Sequence, residues 1–325
     1  MTAFVRSQQT PYFQAVLQVN GNTIPAKPGA SLMCPANYVY PPLIGNAYQW
    51  TEGEGLQSPV VDVELLVRDE LDGDGKLCAL GEYMMGLFFG RTDPTVDIGF
   101  DTASTSITYW DGRTGFTLPN AKAESFTLST SKNDDIRMSV RFVAAANLST
   151  DPPGDAIQPI TEAAPSLISW GNANAMRFSY LKIANQSVAT GTEGTPGSTG
   201  YLAGRVWTFN MSYANNHTPN MALDGTIYPN DMNAGSPTAG ASLMMQAADG
   251  MPQDNNPIVV TIQAPVDPVL TRVFTIQNPR NQTPKNRQVG APRVMRTHQL
   301  ICLGSAGRDA SYTADHQVNG PIEWS

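Results

Sequence analysis

Residues 122–143, KAESFTLSTSKNDDIRMSVRFV, alternate apolar and polar side chains with unusual regularity. Phe126 and Leu128 alternate with Ser125, Thr127 and Ser129; Ile136, Met138, Val140 and Phe142 alternate with Arg137, Ser139 and Arg141. A period of two is that of a strand, and the polar run TSKNDD between the two stretches reads as a turn. The stretch therefore predicts a long β-hairpin with one apolar face and one wet face. A sheet that is apolar on one side must be covered, so this hairpin commits the rest of the chain to layered packing.

Composition points the same way. The chain has 325 residues, 41% of them apolar, with 28 Gly and 25 Pro, which suits strands and loops better than helices. Charged residues make up only 15%, against about 25% in an ordinary soluble domain. A surface so poor in charge suggests one that is covered in an assembly. The net charge of −8 sits wholly in residues 1–160, which hold 18 acidic and 10 basic residues; residues 161–325 hold 10 of each. An acidic chain lacks the positive footprint that tight nucleic-acid binding needs. One basic run stands out. Between Asp267 and Asp309 there is no acid, while Arg272, Arg280, Lys285, Arg287, Arg293 and Arg296 fall there.

Cys34, Cys78 and Cys302 form no CxxC pair, which argues against a disulfide framework or a zinc site. The N-terminus shows no apolar leader and no run of 18 apolar residues exists, so the expectation is folding in a reducing cytoplasm with no membrane partner.

The order of elements rhymes between two halves. In the first, YFQAVLQV (12–19) and PVVDVELLV (59–67) read as strands, KLCALGEYMMGLFF (76–89) has helical spacing, and TSITYW (105–110) precedes the hairpin. In the second, NAMRFSYLKIA (174–184) and GRVWTFNMSYA (204–214) read as strands, the latter with Trp207, Phe209, Met211 and Tyr213 on one face. AGASLMMQAA (239–248) reads as a short helix and PIVVTIQA (257–264) as a strand. VLTRVFTIQ (269–277) and PRVMRTHQLICL (292–303) read as a closing pair joined by the basic loop. The expected organisation is a mainly β chain of two similar β-sandwich domains, 1–150 and 168–325, each with one flanking α-helix and a long hairpin, joined by a Pro-rich linker at 151–167.

Motifs of chemistry are sparse. DELDGDGKLCALGE (69–82) starts like a calcium loop, but its twelfth position is Gly81 where a bidentate Glu belongs, so it reads as an acidic turn before the helix. His217, His298 and His316 lack metal or nucleophile–base spacing. Asp62 and Glu64 are a formal carboxylate pair on the outward face of a strand, with nothing to select them as a glycosidase dyad. No catalytic residue, cofactor or metal site is expected.

PNAKAESFTLSTSKNDDIRMSVRFVAA (119–145), ISWGNANAMRFSYLKIANQSV (168–188) and LAGRVWTFNMSYAN (202–215) together resemble the tail tube proteins of long-tailed bacteriophages, in the variant that fuses two tube domains in one chain. The resemblance lies in the strand–turn–strand cadence and in the GR-x-aromatic-T-F strand. It implies a structural virion protein of the tail, assembled in the host cytoplasm. Three such chains would form a ring, and stacked rings a hollow conduit for phage DNA that binds its cargo only weakly. Its partners would be further copies of itself and other tail proteins.

On that reading the polar side of the hairpin, Ser125, Thr127, Ser129, Arg137, Ser139 and Arg141, faces the bore or a subunit seam. Arg280, Lys285, Arg287 and Arg293 would meet acidic groups of a neighbour, such as Asp69, Glu70, Asp72 and Asp74, since head-to-tail stacking brings different faces together. Two other classes fit the composition. One is a capsid decoration or other virion β-sandwich protein. The other is a two-module carbohydrate-binding protein with Trp50, Trp110, Trp170 or Trp207 as stacking platforms.

Overall fold

The computed structural model describes residues 15–19, 22–27, 29–33, 38–39, 53–54, 57–68, 79–89, 104–110, 115–132, 134–149, 153–160, 181–185, 206–220, 227–233, 235–246, 257–263, 271–277, 279–282, 295–302 and 322–324. Over these residues the chain is mainly β. The first half contains β1 (Ala15–Val19), β2 (Asn22–Ala26), β3 (Ser31–Met33), β4 (Tyr38–Val39), β5 (Gly53–Glu54), β6 (Val60–Leu66), the helix α1 (Glu82–Phe89), β7 (Thr105–Trp110), β8 (Gly115–Ser131), β9 (Arg137–Ala144) and β10 (Gln158–Pro159). The second contains β11 (Leu181–Asn185), β12 (Val206–Ala214), β13 (Thr218–Asn220), β14 (Asp231–Asn233), β15 (Thr238–Gln246), β16 (Ile258–Gln263), β17 (Thr271–Ile276), β18 (Pro279–Asn281), β19 (Met295–Cys302) and β20 (Ile322–Trp324).

The hairpin read from residues 122–143 is β8 and β9, in register from Ser129↔Arg137 to Ala121↔Ala144. Its turn is tied by the Asp134 N–H donating to the Ser131 carbonyl at 2.9 Å. β8 has 17 residues and outruns its partner. Along one edge it pairs first with β7 and then with β12; along the other it pairs with β10 and then with β9. Following the ladders from β8 through β9, β6, β2, β1 and β7 leads back to β8, a closed six-stranded circuit. Its narrowest joint is β2 to β6, where Ala26 pairs with Leu65 and the Lys27 N–H donates to the Glu64 carbonyl at 2.8 Å. Closure removes strand edges that would otherwise invite further pairing.

A bulge between Ala123 and Ser125 bends β8 near the point where β7 gives way to β12. From there β12, β15, β19 and β18 extend the same sheet. A second sheet, in the order β11, β16, β17, β20, contributes Ile183, Val260, Ile262, Phe274 and Ile276 to the same core. The helix α1 is buried on every side, with Met84, Met85, Phe88 and Phe89 at most 1% exposed. Phe88 meets Phe126 edge-on at 5.1 Å, Phe89 lies 4.6 Å from Tyr213, and Phe126 also reaches Phe274 at 6.3 Å. Phe126 of the first half thus packs against residues from both halves. Burying a side chain of this size contributes about 1.5–3 kcal/mol.

Three expectations are corrected. Residues 238–246 form β15, not a helix, so the second flanking helix does not form there. Ala, Leu, Met and Gln favour helices, but β15 lies between β12 and β19, which satisfy its backbone on both sides. The strands β17 and β19 do not pair; they lie in different sheets. A register shift between Val206 and Thr208 moves Trp207 off the buried face, where Val206 takes its place, and Lys132 sits 4.3 Å over the indole. Within the Pro-rich stretch, residues 153–160 are tied to the first half: Gly154 bridges Asn147, β10 pairs with β8, and the Ile160 N–H donates to the Gly115 carbonyl.

Candidate assembly face

Because side chains alternate along each strand, the register of the long sheet decides which residues share a face. Three rows cross it on the side away from the core. Asp62 is opposite Arg141, then Ser125, then Ala214, then Thr238. Glu64 is opposite Ser139, Thr127, Ser212, Gly240, Ile301 and finally Arg280. The third row runs Arg137, Ser129, Asn210, Ser242, Gln299. At the usual strand spacing of about 4.8 Å, the six strands from β6 to β19 span about 24 Å. The opposite face reads Val63, Val140, Phe126, Tyr213 in one row and Leu65, Met138, Leu128, Met211, Ala241, Leu300 in the next, all buried.

All six residues read from the hairpin as bore or seam candidates therefore lie on one face. Ser125, Thr127 and Ser129 are half-buried, while Arg137, Ser139 and Arg141 are exposed. Their surroundings were only partly legible in the sequence. The alternation in 204–214 carries Asn210 and Ser212 on the polar side, but only the pairing shows that they continue the rows of β8.

The charges on this face cancel locally. Arg141 forms a two-pronged pair with Asp62, Nε to Oδ1 at 2.7 Å and Nη2 to Oδ2 at 2.9 Å. These bonds hold its guanidinium still more firmly protonated. Lys27 pairs with Glu64, and Arg137 lies between Glu64 at 4.0 Å and Asp134 at 3.4 Å. Asp62 and Glu64 are thus each held by a cation, which is the environment of a structural pair rather than of a carboxylate dyad poised for acid–base work. From β8 through β15 the face carries hydroxyls, amides and small residues without charge.

The residues at the root of the face are held by polar contacts that bridge the halves. Asn215 donates from Nδ2 to the Phe88 carbonyl at 2.9 Å and to the Ala123 carbonyl at 2.8 Å, taking up a carbonyl at the last turn of α1. The buried Lys122 donates to the Met232 carbonyl at 2.8 Å and pairs with Asp231 at 3.3 Å. Glu124, on the bulge, receives His217. Burial works against its carboxylate, but the bonds from the His217 ring and N–H, with the charges of His217 and Arg141, outweigh burial and hold its pKa below the ordinary 4.5.

Of the residues read as inter-subunit contacts, Arg280 is exposed on β18, the last strand of the sheet. Lys285, Arg287, Arg293, Asp69, Glu70, Asp72 and Asp74 lie outside the described residues. The basic run is not a single loop. Arg272 is buried on β17 with Nε donating to the Leu80 carbonyl at 2.8 Å, and Arg296 is half-buried on β19. Among the described residues no group of three His, Cys, Asp or Glu side chains is placed to hold a metal ion, and no helix is long and apolar enough to cross a membrane. Burial pushes the Cys302 thiol up to about 12, so it behaves as a small apolar group. No protein-family model matches the chain, and no curated protein matches it either.

Proposed function

We propose that the chain is a non-catalytic structural subunit of a phage tail tube, in which three copies form a ring and stacked rings form a conduit for DNA. In this reading residues 1–150 and 168–325 are two tube-type β-sandwich units, with α1 flanking the first. The observation that carries it is the polar face, about 24 Å wide at the usual strand spacing. From β6 to β19 its two carboxylates on β6 are matched by two guanidinium groups on β9, and the other row positions are uncharged: Ser, Thr, Asn and Gln with Ala214, Gly240 and Ile301. A surface with no net charge neither grips nor strongly repels phosphates, as a conduit requires.

The ends of the sheet support the same reading. Among the described residues four large apolar side chains are exposed, and three of them lie at these ends: Leu32 and Met33 on β3, and Ile301 next to β18. An apolar edge strand without a gatekeeping charge is a template for pairing with another copy. At the opposite end Arg280, with Lys285 and Arg287 nearby in the chain, would meet acidic groups of a neighbour. A carbohydrate-binding module is less well supported, because Trp207 lies beneath Lys132 instead of standing free.

Negative-stain microscopy of the purified protein tests the reading directly. Rings or tubes are expected at moderate salt, and the triple reversal Arg280→Glu, Lys285→Glu, Arg287→Glu should give a folded protein that no longer forms them. Dispersed single chains at every salt and protein concentration would sink the proposal.

A further inference from the structure

His298 lies on the core side of β19 and is fully buried. Its Nδ1 is 3.0 Å from Nδ2 of Asn281 on β18. With the amide donating, Nδ1 must hold a lone pair and the ring proton sits on Nε2, which has no hydrogen-bond partner among the described residues. The neutral ring is therefore the form this site accommodates.

Among the described residues, the charged groups on the neighbouring strands offer an imidazolium no counter-charge. Arg296, on the same strand, bears on it unfavourably. β15, which places Leu243 opposite it, carries no ionisable side chain. β18 carries only the exposed Arg280. In the second sheet β16 carries none, Arg272 of β17 is committed to the Leu80 carbonyl, β11 carries Lys182, and Glu323 of β20 is registered against half-buried Thr275. The chain has no acid at all between Asp267 and Asp309.

The strand that His298 holds is short. β18 rests on β19 through three residue pairs, Pro279↔Cys302, Arg280↔Ile301 and Asn281↔Leu300, with one further bond from the Gln282 N–H to the Gln299 carbonyl at 2.8 Å. It is also the terminal strand of the sheet, and no described strand pairs with its outer edge.

We propose that β18 is an acid-released strap: protonation of His298 sets a donor against the Asn281 amide and a charge in the core, and Pro279–Asn281 leave β19. Turning the Asn281 amide over restores an acceptor but provides no anion. Release of the strap opens a path for water to the ring and uncovers the edge of β19. The sign follows from burial. Burial first, and Arg296 second, hold the ring below the ordinary imidazole value of 6.5. Above that pH the neutral ring keeps the strap closed. As pH falls below it, the open state binds a proton that the closed state refuses, and the open fraction rises by up to about tenfold per pH unit until the buried ring itself titrates. The proposal does not depend on how copies of the chain assemble.

Hydrogen exchange read by mass spectrometry on the intact chain at pH 7.5, 6.5 and 5.5, corrected for intrinsic rates, tests it. Peptides covering 279–302 should open about tenfold more often per unit below pH 6.5 while peptides covering 258–276 stay unchanged. In His298→Gln this pH dependence should vanish. Asn281→Asp places a carboxylate beside the ring and should reverse the trend, tightening the strap as pH falls toward 6.5 and leaving no further loosening below it; this variant decides the matter if His298→Gln does not fold. A flat profile in the parent, loosening of both regions together, or an unreversed trend in Asn281→Asp overturns the proposal.

Discussion

The carboxylate of Glu124 and the ring of His217, 93 residues apart in the chain, meet at 2.6 Å where the bulge of β8 faces the end of β12. The His217 N–H donates to the same oxygen at 3.1 Å. One side chain of the first half therefore receives both a ring and a backbone donor from the second. The residue before the histidine, Asn216, turns the chain with a positive φ of 55° and is fixed by bonds to the Ser236 carbonyl and to Thr238. No room exists for a side chain at Gly235, where a Cβ would come within 1.9 Å of the Asn216 carbonyl oxygen.

This pair gives the fold an acid-sensitive joint. A carboxylate whose pKa is lowered on folding contributes stability above its unfolded value, and that contribution is lost as pH falls through the folded one. With the reference at 4.5 and the folded value below it, the loss begins near pH 4.5 and is complete only at lower pH. Glu124→Gln should cost about 1–2 kcal/mol at pH 7 and should flatten this limb of a stability curve measured by urea unfolding. An unchanged acid limb in the variant would show that other carboxylates dominate it.

Asn215 satisfies two carbonyls that have been taken out of water, those of Phe88 and Ala123. Asn215→Leu keeps the number and branching of side-chain heavy atoms but removes both donors, so it should destabilise by about 2–3 kcal/mol. Asn215→Asp should do no better, because a carboxylate cannot donate to either carbonyl. Thermal melts of the two variants against the parent provide the check.

The Asp62–Arg141 pair is nearly half exposed, so its geometry overstates its energy. Arg141→Ala should shift stability by less than about 1 kcal/mol. It nevertheless leaves an uncompensated carboxylate at the β6 end of the polar face. If copies close around that face, assembly of Arg141→Ala should become more dependent on salt than that of the parent, measured by light scattering from low to moderate ionic strength. A large loss of monomer stability would contradict the exposed-pair reading.

Leu32→Lys with Met33→Lys places two charges on the edge strand β3, where the parent has none. Both positions are exposed, so the fold should be unchanged within about 0.5 kcal/mol. Self-association should fall sharply, because edge lysines block strand addition. Sedimentation velocity at matched concentration reads the outcome, and parent-like association would remove β3 from the candidate contacts.

Sequence alone determined the elements whose character is local. Alternation wrote β6, β7 and the hairpin of β8 and β9 into residues 60–66, 105–110 and 122–143, and told which side of each is buried, because a period of two leaves no choice of face once one face is apolar; the extension of β8 back to Gly115 carries no such signal. The helical spacing around Met84 and Phe88 likewise anticipated α1. What the tertiary structure decided is where elements pair. Residues 238–246 are locally suited to a helix, yet two neighbouring strands with open backbone groups draw them into the sheet, and backbone pairing outweighs the few tenths of a kcal/mol per residue that propensity supplies. Whether β17 meets β19 or lies in another sheet depends on which layer each can cover, information that neither strand carries. Arg272 reads from the sequence as one of a solvated basic run, but it is buried, with Nε donating to the Leu80 carbonyl in the turn that precedes α1, a partner 192 residues away that the local sequence does not reveal. The six polar positions of the hairpin were legible as a face; that β12, β15 and β19 continue it in register was not, because ladders between residues as far apart in the chain as Ser125 and Ala214, or Ala239 and Cys302, are fixed only when the core beneath them closes.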